Sequence, residues 1–397
     1  MNETTTPARR HPVRLWIALG AILALIVGGV AAGAWFRTAG DRAARVDTTQ
    51  TVLEDRLQAL VDAGYPAALV SVTEPDGERH DAAAGDADNT AGDAELRVGS
   101  NTKMFVAAVV LQLVDEGLVG LDTPIDTYLP GVVTGDGIDG TAITVRQLLQ
   151  HRTGLPDDTA EVAEHAFEVR DDYVSPRDLV DRALEKPAVF APGTEYRYTN
   201  TNYLVLGLLI ERVTERALWE QIDDRIVTPL DLEHTYLPLP GERSLRGAHP
   251  EAFHADTPGE LRDITELDPS WAWAAGALVS STADLNTFMQ ALLGGELLSA
   301  ESLAAMQETV PAGDELWPDA AYGLGLERTP LSCGGVAWGH GGDIPGTQTR
   351  NAVAPDGTAV SVAVTALPWA IVDPADEEKL LEAYRMVVDV LDATLCD

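Results

Sequence analysis

A serine three residues before a lysine, at the start of a long apolar run, is the feature that most constrains how this chain can fold. Ser100 and Lys103 directly precede the run from Met104 to Val114, and Gly117 ends it. The pattern predicts a buried helix, with the serine on its first turn and the lysine one turn later on the same face.

This pairing suits nucleophilic catalysis. Backbone N–H groups at a helix start can stabilise an oxyanion, and apolar surroundings disfavour the charged form of Lys103. A neutral amine beside the Ser100 hydroxyl is a general base beside a nucleophile. The chain holds only three lysines, which makes a chance pairing uncommon. The alternative is a helix-capping serine followed by a lysine whose amine extends to solvent.

The charge balance excludes some partners. The 397 residues include 63 Asp and Glu against 27 Lys and Arg, for a net charge of −36. We therefore expect no electrostatic binding to nucleic acid or to anionic lipid. A high-salt habitat and plain compositional bias both remain open as explanations of this acidity.

The N-terminus predicts export. Three arginines precede an apolar run over residues 15–36 that is long enough to span a bilayer. Within it, the small residues 32–34 resemble a signal-peptide cleavage site. We therefore expect residues 1–47 to be a cytoplasmic stub, a transmembrane or signal segment and a linker. Contact with the cytoplasmic membrane would come through residues 15–36. The rest would be extracytoplasmic, either membrane-anchored at the cell surface or secreted.

The remaining chain, residues 48–397, predicts an α+β domain. Strand signals fall at 67–73, 80–84, 335–339, 348–354 and 358–366, and helix signals fall at 48–63, 144–151, 203–214 and 377–395. We expect one antiparallel sheet flanked by helices, built from about 48–120 and 270–397. An all-helical lobe would occupy about 121–269, with a cleft between the two lobes.

Two further motifs carry polar chemistry. Tyr198 and Asn200 lie on a loop before a helix, where Tyr198 can shuttle a proton and Asn200 can bind a substrate amide. His340, followed by two glycines and Asp343, lies at the end of a predicted strand. Glycines there would let a substrate backbone pair with the strand edge. The alternatives are a loop whose tyrosines pack and a histidine with a structural role.

Taken in order, Ser-x-x-Lys, Tyr-x-Asn and His-x-Gly resemble the penicillin-recognising serine enzymes, specifically class C β-lactamases and serine D-Ala-D-Ala carboxypeptidases. The segments 148–156 and 275–282 are similar to family blocks as well. The resemblance implies a β-lactamase/transpeptidase-like fold. The third motif begins with histidine, and in this it resembles the third motif of secreted actinobacterial carboxypeptidases. Those enzymes also carry two cysteines placed like Cys333 and Cys396, for which we expect a disulfide.

The resemblance also implies roles for individual residues. Ser100 would form an acyl-enzyme, Lys103 and Tyr198 would move its proton, and N–H groups of Ser100 and Asp343 would form an oxyanion hole. No metal or cofactor is expected. The substrate-binding residues implied are Asn200, Trp271, Arg328, His340, Gly341, Gly342 and Asp343.

Departures from the family pattern bear on the substrate. Gly341 and Asp343 stand where related carboxypeptidases carry threonines, and Glu327 stands where they carry an arginine that holds the substrate carboxylate, with Arg328 adjacent. The leading prediction is a D-alanyl-D-alanine carboxypeptidase acting on peptidoglycan stem peptides and binding β-lactams. An esterase, an amidase, a D-aminopeptidase-like enzyme or a β-lactamase-like hydrolase stays open. A non-catalytic module that senses β-lactams or cell wall is a further alternative.

Overall fold

The computed structural model describes residues 50–87, 91–157, 159, 165–313 and 318–397. The predicted stub, membrane or signal segment and linker over residues 1–47 lie outside the described residues. In the part of the chain that is described, no helix is both long enough and apolar enough to cross a membrane.

The strands and helices of the described residues have the following bounds. The strands are β1 Ala67–Thr73, β2 Arg79–Gly85, β3 Leu96–Arg97, β4 Thr134–Gly135, β5 Ile138–Asp139, β6 Phe253–His254, β7 Arg262–Asp263, β8 Val279–Ser280, β9 Val310–Pro311, β10 Ala321–Tyr322, β11 Glu327–Pro330, β12 Val336–Ile344, β13 Thr347–Val353 and β14 Ala359–Val364. The helices are α1 over residues 53–62, α2 Thr102–Asp115, α3 Val145–Leu149, α4 Ala166–Val169, α5 Pro176–Leu184, α6 Asn200–Thr214, α7 Leu218–Ile222, α8 Thr228–Leu230, α9 Trp273–Gly276, α10 Thr282–Leu293, α11 Ala300–Met306, α12 Pro368–Ile371 and α13 Glu377–Leu395.

One eight-stranded antiparallel sheet organises these elements, in the order β2-β1-β14-β13-β12-β11-β10-β9. The sequence prediction of an antiparallel sheet flanked by helices is therefore confirmed. The regular structure described in residues 121–269 is mostly helical, but it also includes the two-stranded pairs β4–β5 and β6–β7. The proposed division into two lobes stays a prediction.

The two faces of the sheet bury different helices. Because successive side chains of a strand point to opposite faces, Val360, Val362 and Val364 of β14 pack in the cluster that contains α1 and α13. Ala359 and Ala363 belong to the other cluster, with α2, α6 and α10. Small residues on that second face suit the close packing of α10 against β14 and β1.

Strand β12 is longer than the sequence indicates. The sequence predicts that this strand ends at Gly339, because the glycines that follow are poor strand formers. The structure continues the strand to Ile344, where it pairs with Thr347 of β13. These glycines lie where another backbone approaches the strand, and this contact builds the site described below.

The disulfide pairing expected from the resemblance is present in the structure. Cys333, in the turn between β11 and β12, is bonded to Cys396, which follows α13, and the two are 63 residues apart. The bond joins the strand that leads to His340 to the C-terminal helix.

We predict that replacing both cysteines by serine lowers the free energy of unfolding by about 4 kcal/mol, because the chain-entropy model assigns that value to a loop of this length. Urea unfolding of oxidised wild type and of the double variant measures the difference. Thiol labelling of unreduced, denatured wild type should find no free thiol. Two labelled thiols would contradict the pairing.

Candidate active site

Ser100 lies in a tight turn that docks on the glycine-rich part of β12. The turn Gly99–Asn101 precedes α2, and Gly99 has a φ of +50°. A Cβ atom on Gly99 would lie 2.8 Å from the backbone N of Asp343, and one on Gly342 would collide with Val98 O. Both positions therefore require glycine. The docking puts the Asp343 N–H next to the Ser100 turn, as the predicted oxyanion hole requires.

Lys103 is buried and surrounded by three oxygen atoms. Its Nζ lies 2.9 Å from Ser100 Oγ, 2.8 Å from Asn200 Oδ1 and 2.7 Å from the carbonyl oxygen of Ala275. Burial lowers the pKa of Lys103 from 10.5 to about 7, although the charges of Asp157 and Glu327 act in the opposite direction. A large share of the amine is therefore neutral near pH 7.

Counting hydrogen-bond donors assigns the direction of each contact. A neutral amine has two N–H groups and one lone pair, and two of the three neighbouring oxygens, those of Asn200 and Ala275, can only accept. Both N–H groups are used there, so the lone pair of Lys103 faces the Ser100 hydroxyl. Lys103 is thus placed to accept the proton of the nucleophile.

A short hydrogen-bond chain fixes the orientation of the Asn200 amide. Asp157 Oδ1 accepts from the Thr159 hydroxyl at 2.7 Å, so Thr159 Oγ1 is left to accept from Asn200 Nδ2 at 2.6 Å. Asp157 Oδ2 also accepts from the Asn200 backbone N–H at 2.6 Å. The carbonyl side of the amide must then face Lys103. Asn200 thus contacts Lys103 directly. The substrate-binding role that the sequence suggests for Asn200 stays a prediction.

Tyr198 completes the group around the nucleophile. Its hydroxyl interacts with the side chain of Ser100, and Lys103 Nζ lies 4.8 Å from the centre of its ring. Burial of the hydroxyl raises the pKa of Tyr198 well above its usual value, although 36% of the residue surface is exposed. Tyr198 is therefore a protonated phenol at neutral pH. It can donate a proton to a leaving group, while Lys103 serves as the base.

A second buried chain links His151, Tyr322 and His340. The backbone N–H of Thr199 donates to His151 Nδ1, so His151 Nε2–H faces Tyr322 Oη at 3.2 Å. Tyr322 donates to His340 Nε2 at 2.9 Å, and His340 Nδ1 donates to Gly341 O at 2.6 Å. Burial lowers the pKa of both histidines, which keeps the imidazoles neutral.

This series of hydrogen bonds bears on the substrate-binding role expected of His340. Both of its ring nitrogens are occupied by protein groups, so the imidazole does not present a free nitrogen to a substrate. His340 instead holds β12 against Tyr322. His151, at the other end of the chain, stacks on the Tyr198 ring with centres 4.3 Å apart. The third motif and the second motif are thereby positioned by one connected set of side chains.

The two carboxylates flagged by the sequence have different surroundings. The guanidinium of the buried Arg350 donates two hydrogen bonds to the carboxylate of Asp343, to Oδ1 at 2.8 Å and to Oδ2 at 3.3 Å. Glu327 Oε2 accepts from the Gly341 backbone N–H at 3.3 Å, and Glu327 Oε1 lies 3.8 Å from His340 Nδ1. Asp343 is thus ion-paired with the guanidinium of Arg350, whereas the ionisable group beside Glu327 is the neutral imidazole of His340. Arg350 and Lys103 attract Glu327 from a greater distance.

The structure brings together most of the predicted residues. Ser100, Lys103, Tyr198 and Asn200 meet beside Gly341, Gly342 and Asp343 of β12. Trp271 is 6% exposed and packs inside the core cluster that contains α2, and its substrate-binding role stays a prediction. Arg328 lies opposite Trp338 in the β11–β12 register, while its neighbour Glu327 reaches Gly341.

Sequence reasoning missed the supporting residues. Asp157, Thr159, His151, Tyr322 and Arg350 each contact a site residue through hydrogen bonds or ring packing. His151 falls within the family-like segment 148–156, which was the only local signal for any of them. Across the described ranges, no group of three or more His, Cys, Asp or Glu side chains is arranged to hold a metal ion.

Comparison with known proteins agrees with this geometry. A family model described as Beta-lactamase matches residues 20–384. Penicillin-binding protein 4 of Amycolatopsis lactamdurans is 29% identical over 328 residues, which cover 79% of this chain and 84% of that protein.

Two solved structures are similar as well. A D-stereospecific amidohydrolase from Streptomyces sp. is 38% identical with a TM-score of 0.75, covering 84% of this chain and 98% of that one. A D-amino acid amidase from Ochrobactrum anthropi SV3, solved with D-phenylalanine, is 24% identical with a TM-score of 0.73. It covers 86% of this chain and 99% of its own, and at that identity it shows the fold alone.

We predict that kcat/KM for an uncharged substrate rises with pH through an apparent pKa near 7. The sign follows from the base, because protonated Lys103 has no lone pair for the Ser100 proton and is inactive. Ionisation of Tyr198 should not lower kcat/KM below about pH 9, since the pKa of Tyr198 is raised. Tyr198→Phe should have a lower kcat/KM, but that value should still rise with pH through the same apparent pKa. A rate that does not change between about pH 5 and 9 would contradict the assignment of Lys103.

Proposed function

The chain belongs to the β-lactamase family of serine hydrolases, and we propose that it hydrolyses amide bonds of small D-amino acid substrates through an acyl-enzyme on Ser100. This differs from the D-Ala-D-Ala carboxypeptidase that the sequence favoured. The D-stereospecific amidohydrolase that is 38% identical supports both the amide bond and the D configuration as the substrate class.

The observation that carries the proposal is the charge beside β12. A carboxypeptidase must bind the free carboxylate of its substrate, which calls for an available cation. Arg350 is already paired with Asp343, and Glu327 occupies the place beside Gly341. A substrate carboxylate at this edge would meet a negative charge. An amide, which carries no charge, would not.

The chemistry follows from the order of the side chains. Ser100 Oγ attacks the amide carbon while its proton passes to Lys103, and the N–H groups of Ser100 and Asp343 receive the oxyanion. Tyr198 gives its proton to the departing nitrogen as the C–N bond breaks, and regains one from protonated Lys103. In the second half, water attacks the ester carbon and its proton passes to Lys103, directly or through the Tyr198 hydroxyl, which gives up its own proton as it accepts one. Ser100 Oγ then leaves and takes a proton back from protonated Lys103.

A carboxypeptidase remains the second candidate. Penicillin-binding protein 4 matches most of the chain, and Arg328 lies one residue from the position at which related carboxypeptidases hold the substrate carboxylate. We also propose that the enzyme works outside the cytoplasm, anchored or exported through residues 15–36. Cell fractionation that recovers all of it from the cytosol would refute this location.

We predict that D-alaninamide is hydrolysed and that L-alaninamide is not. Ser100→Ala should lose at least about 10³-fold in kcat/KM, because the nucleophile is removed. The matched control is Ser244→Ala, which changes an exposed hydroxyl bonded to Glu266 and should keep full activity. Ammonia release measures the rate.

Incubation with benzylpenicillin tests the nucleophile independently of turnover. Wild type should gain the mass of the intact β-lactam, and Ser100→Ala should not. Release of D-alanine from a D-Ala-D-Ala peptide, without any action on D-alaninamide, would favour the carboxypeptidase. Full activity of Ser100→Ala would overturn the mechanism.

A further inference from the structure

The carboxylate of Glu327, whose ionisable neighbour is the neutral imidazole of His340, lies beside the edge of β12. Its side chain is 30% exposed, so water or a ligand can reach it. Its protein contacts are the Gly341 N–H and the imidazole of His340, whose Nδ1 proton is already given to Gly341 O. Neither contact supplies a positive charge. A carboxylate in this state favours a cationic partner when one is brought to it.

The neighbouring edge of β12 is open to a substrate. The pairing of β11 with β12 ends at Gly339, which leaves Gly341 to Asp343 without a strand on that side. The N–H of Gly341, which would otherwise bind a substrate carbonyl, is occupied by Glu327. A bound substrate therefore meets the N–H of Asp343 at one position and a carboxylate at the other.

The spacing matches an amino acid derivative with a free α-amine. Residues two apart on a strand are separated by about 7 Å. In an amino acid amide, the ammonium nitrogen and the carbonyl oxygen are about 3 Å apart, and hydrogen bonds of about 2.8 Å extend from each end. With its oxygen at the Asp343 N–H, such a substrate can reach the carboxylate beside Gly341.

We propose that Glu327 binds the α-ammonium group of the substrate, so that the enzyme cleaves the amide bond that follows an unblocked amino-terminal residue. This inference rests on the proposed amide hydrolysis at Ser100 and specifies its substrate. It makes Glu327 the residue that selects free amines over acylated ones, and over substrates that carry a carboxylate at this edge.

Two substrates that differ only at the amine test the proposal. D-alanine p-nitroanilide has a free ammonium group, and N-acetyl-D-alanine p-nitroanilide does not. Wild type should prefer the free amine. In Glu327→Gln, whose amide oxygen can still accept from Gly341 N–H, kcat/KM on the free amine should fall roughly 10- to 100-fold while the acetylated substrate changes little. Glu382→Gln, the same change at an exposed position of α13, is the matched control and should keep the wild-type preference.

The pH dependence gives a second readout. An α-amine loses its proton near pH 8, so wild-type kcat/KM on the free amine should decline above that value. The decline should be absent in Glu327→Gln. If Glu327 only held β12 in place, Glu327→Gln would lower kcat/KM on both substrates equally and leave the ratio of the two values unchanged.

The outcomes separate this inference from the proposed function. Equal wild-type rates on both anilides, with both abolished in Ser100→Ala, would overturn the role of Glu327 and leave amide hydrolysis standing. Absence of Ser100-dependent cleavage of either anilide and of D-alaninamide would overturn both. A preference for the free amine that survives Glu327→Gln would assign ammonium binding to another residue and overturn the inference.

Discussion

The site depends on one buried amine. Lys103 Nζ contacts Ser100 in the turn before its own helix, Asn200 at the start of α6 and the carbonyl of Ala275 in α9. Three segments far apart in sequence therefore meet at a single nitrogen atom. Burying an ammonium ion among apolar helices is costly, and the protein avoids much of that cost because the amine is largely neutral at physiological pH. The same desolvation that disfavours the charge creates the base.

The surrounding hydrogen bonds are arranged to protect this state. Asp157 and Thr159 orient Asn200 so that an oxygen, and not an NH₂ group, faces the lysine. Tyr198 stays protonated beside the same hydroxyl, so base and acid are separate groups with pKa values moved apart. The glycines at 99 and 342 then allow the nucleophile turn to touch β12, which supplies the oxyanion donor.

The sequence predicted the parts of this site that have a local pattern. The spacing of Ser100 and Lys103 against an apolar run, and a Tyr-x-Asn loop before a helix, were visible without a structure. Tyr322 and Arg350 were not, because a single tyrosine or arginine has no periodicity and each acts on a residue brought near by folding. Among 63 acidic residues, nothing local distinguishes Asp157. The sequence predicts too short a strand β12 because glycines are poor strand formers. Strand propensity carries no information about a second backbone that packs against those glycines.

The ionisation of Lys103 can be measured directly, because the chain has only three lysines. Labelling with ¹³Cε-lysine should give three resolved NMR signals, and a Lys103→Met sample assigns the one of interest. The Lys103 signal should titrate near pH 7, whereas that of the exposed Lys379 should titrate above about pH 10. A Lys103 signal that remains that of an ammonium ion up to about pH 10 would contradict the central claim that a neutral lysine activates Ser100.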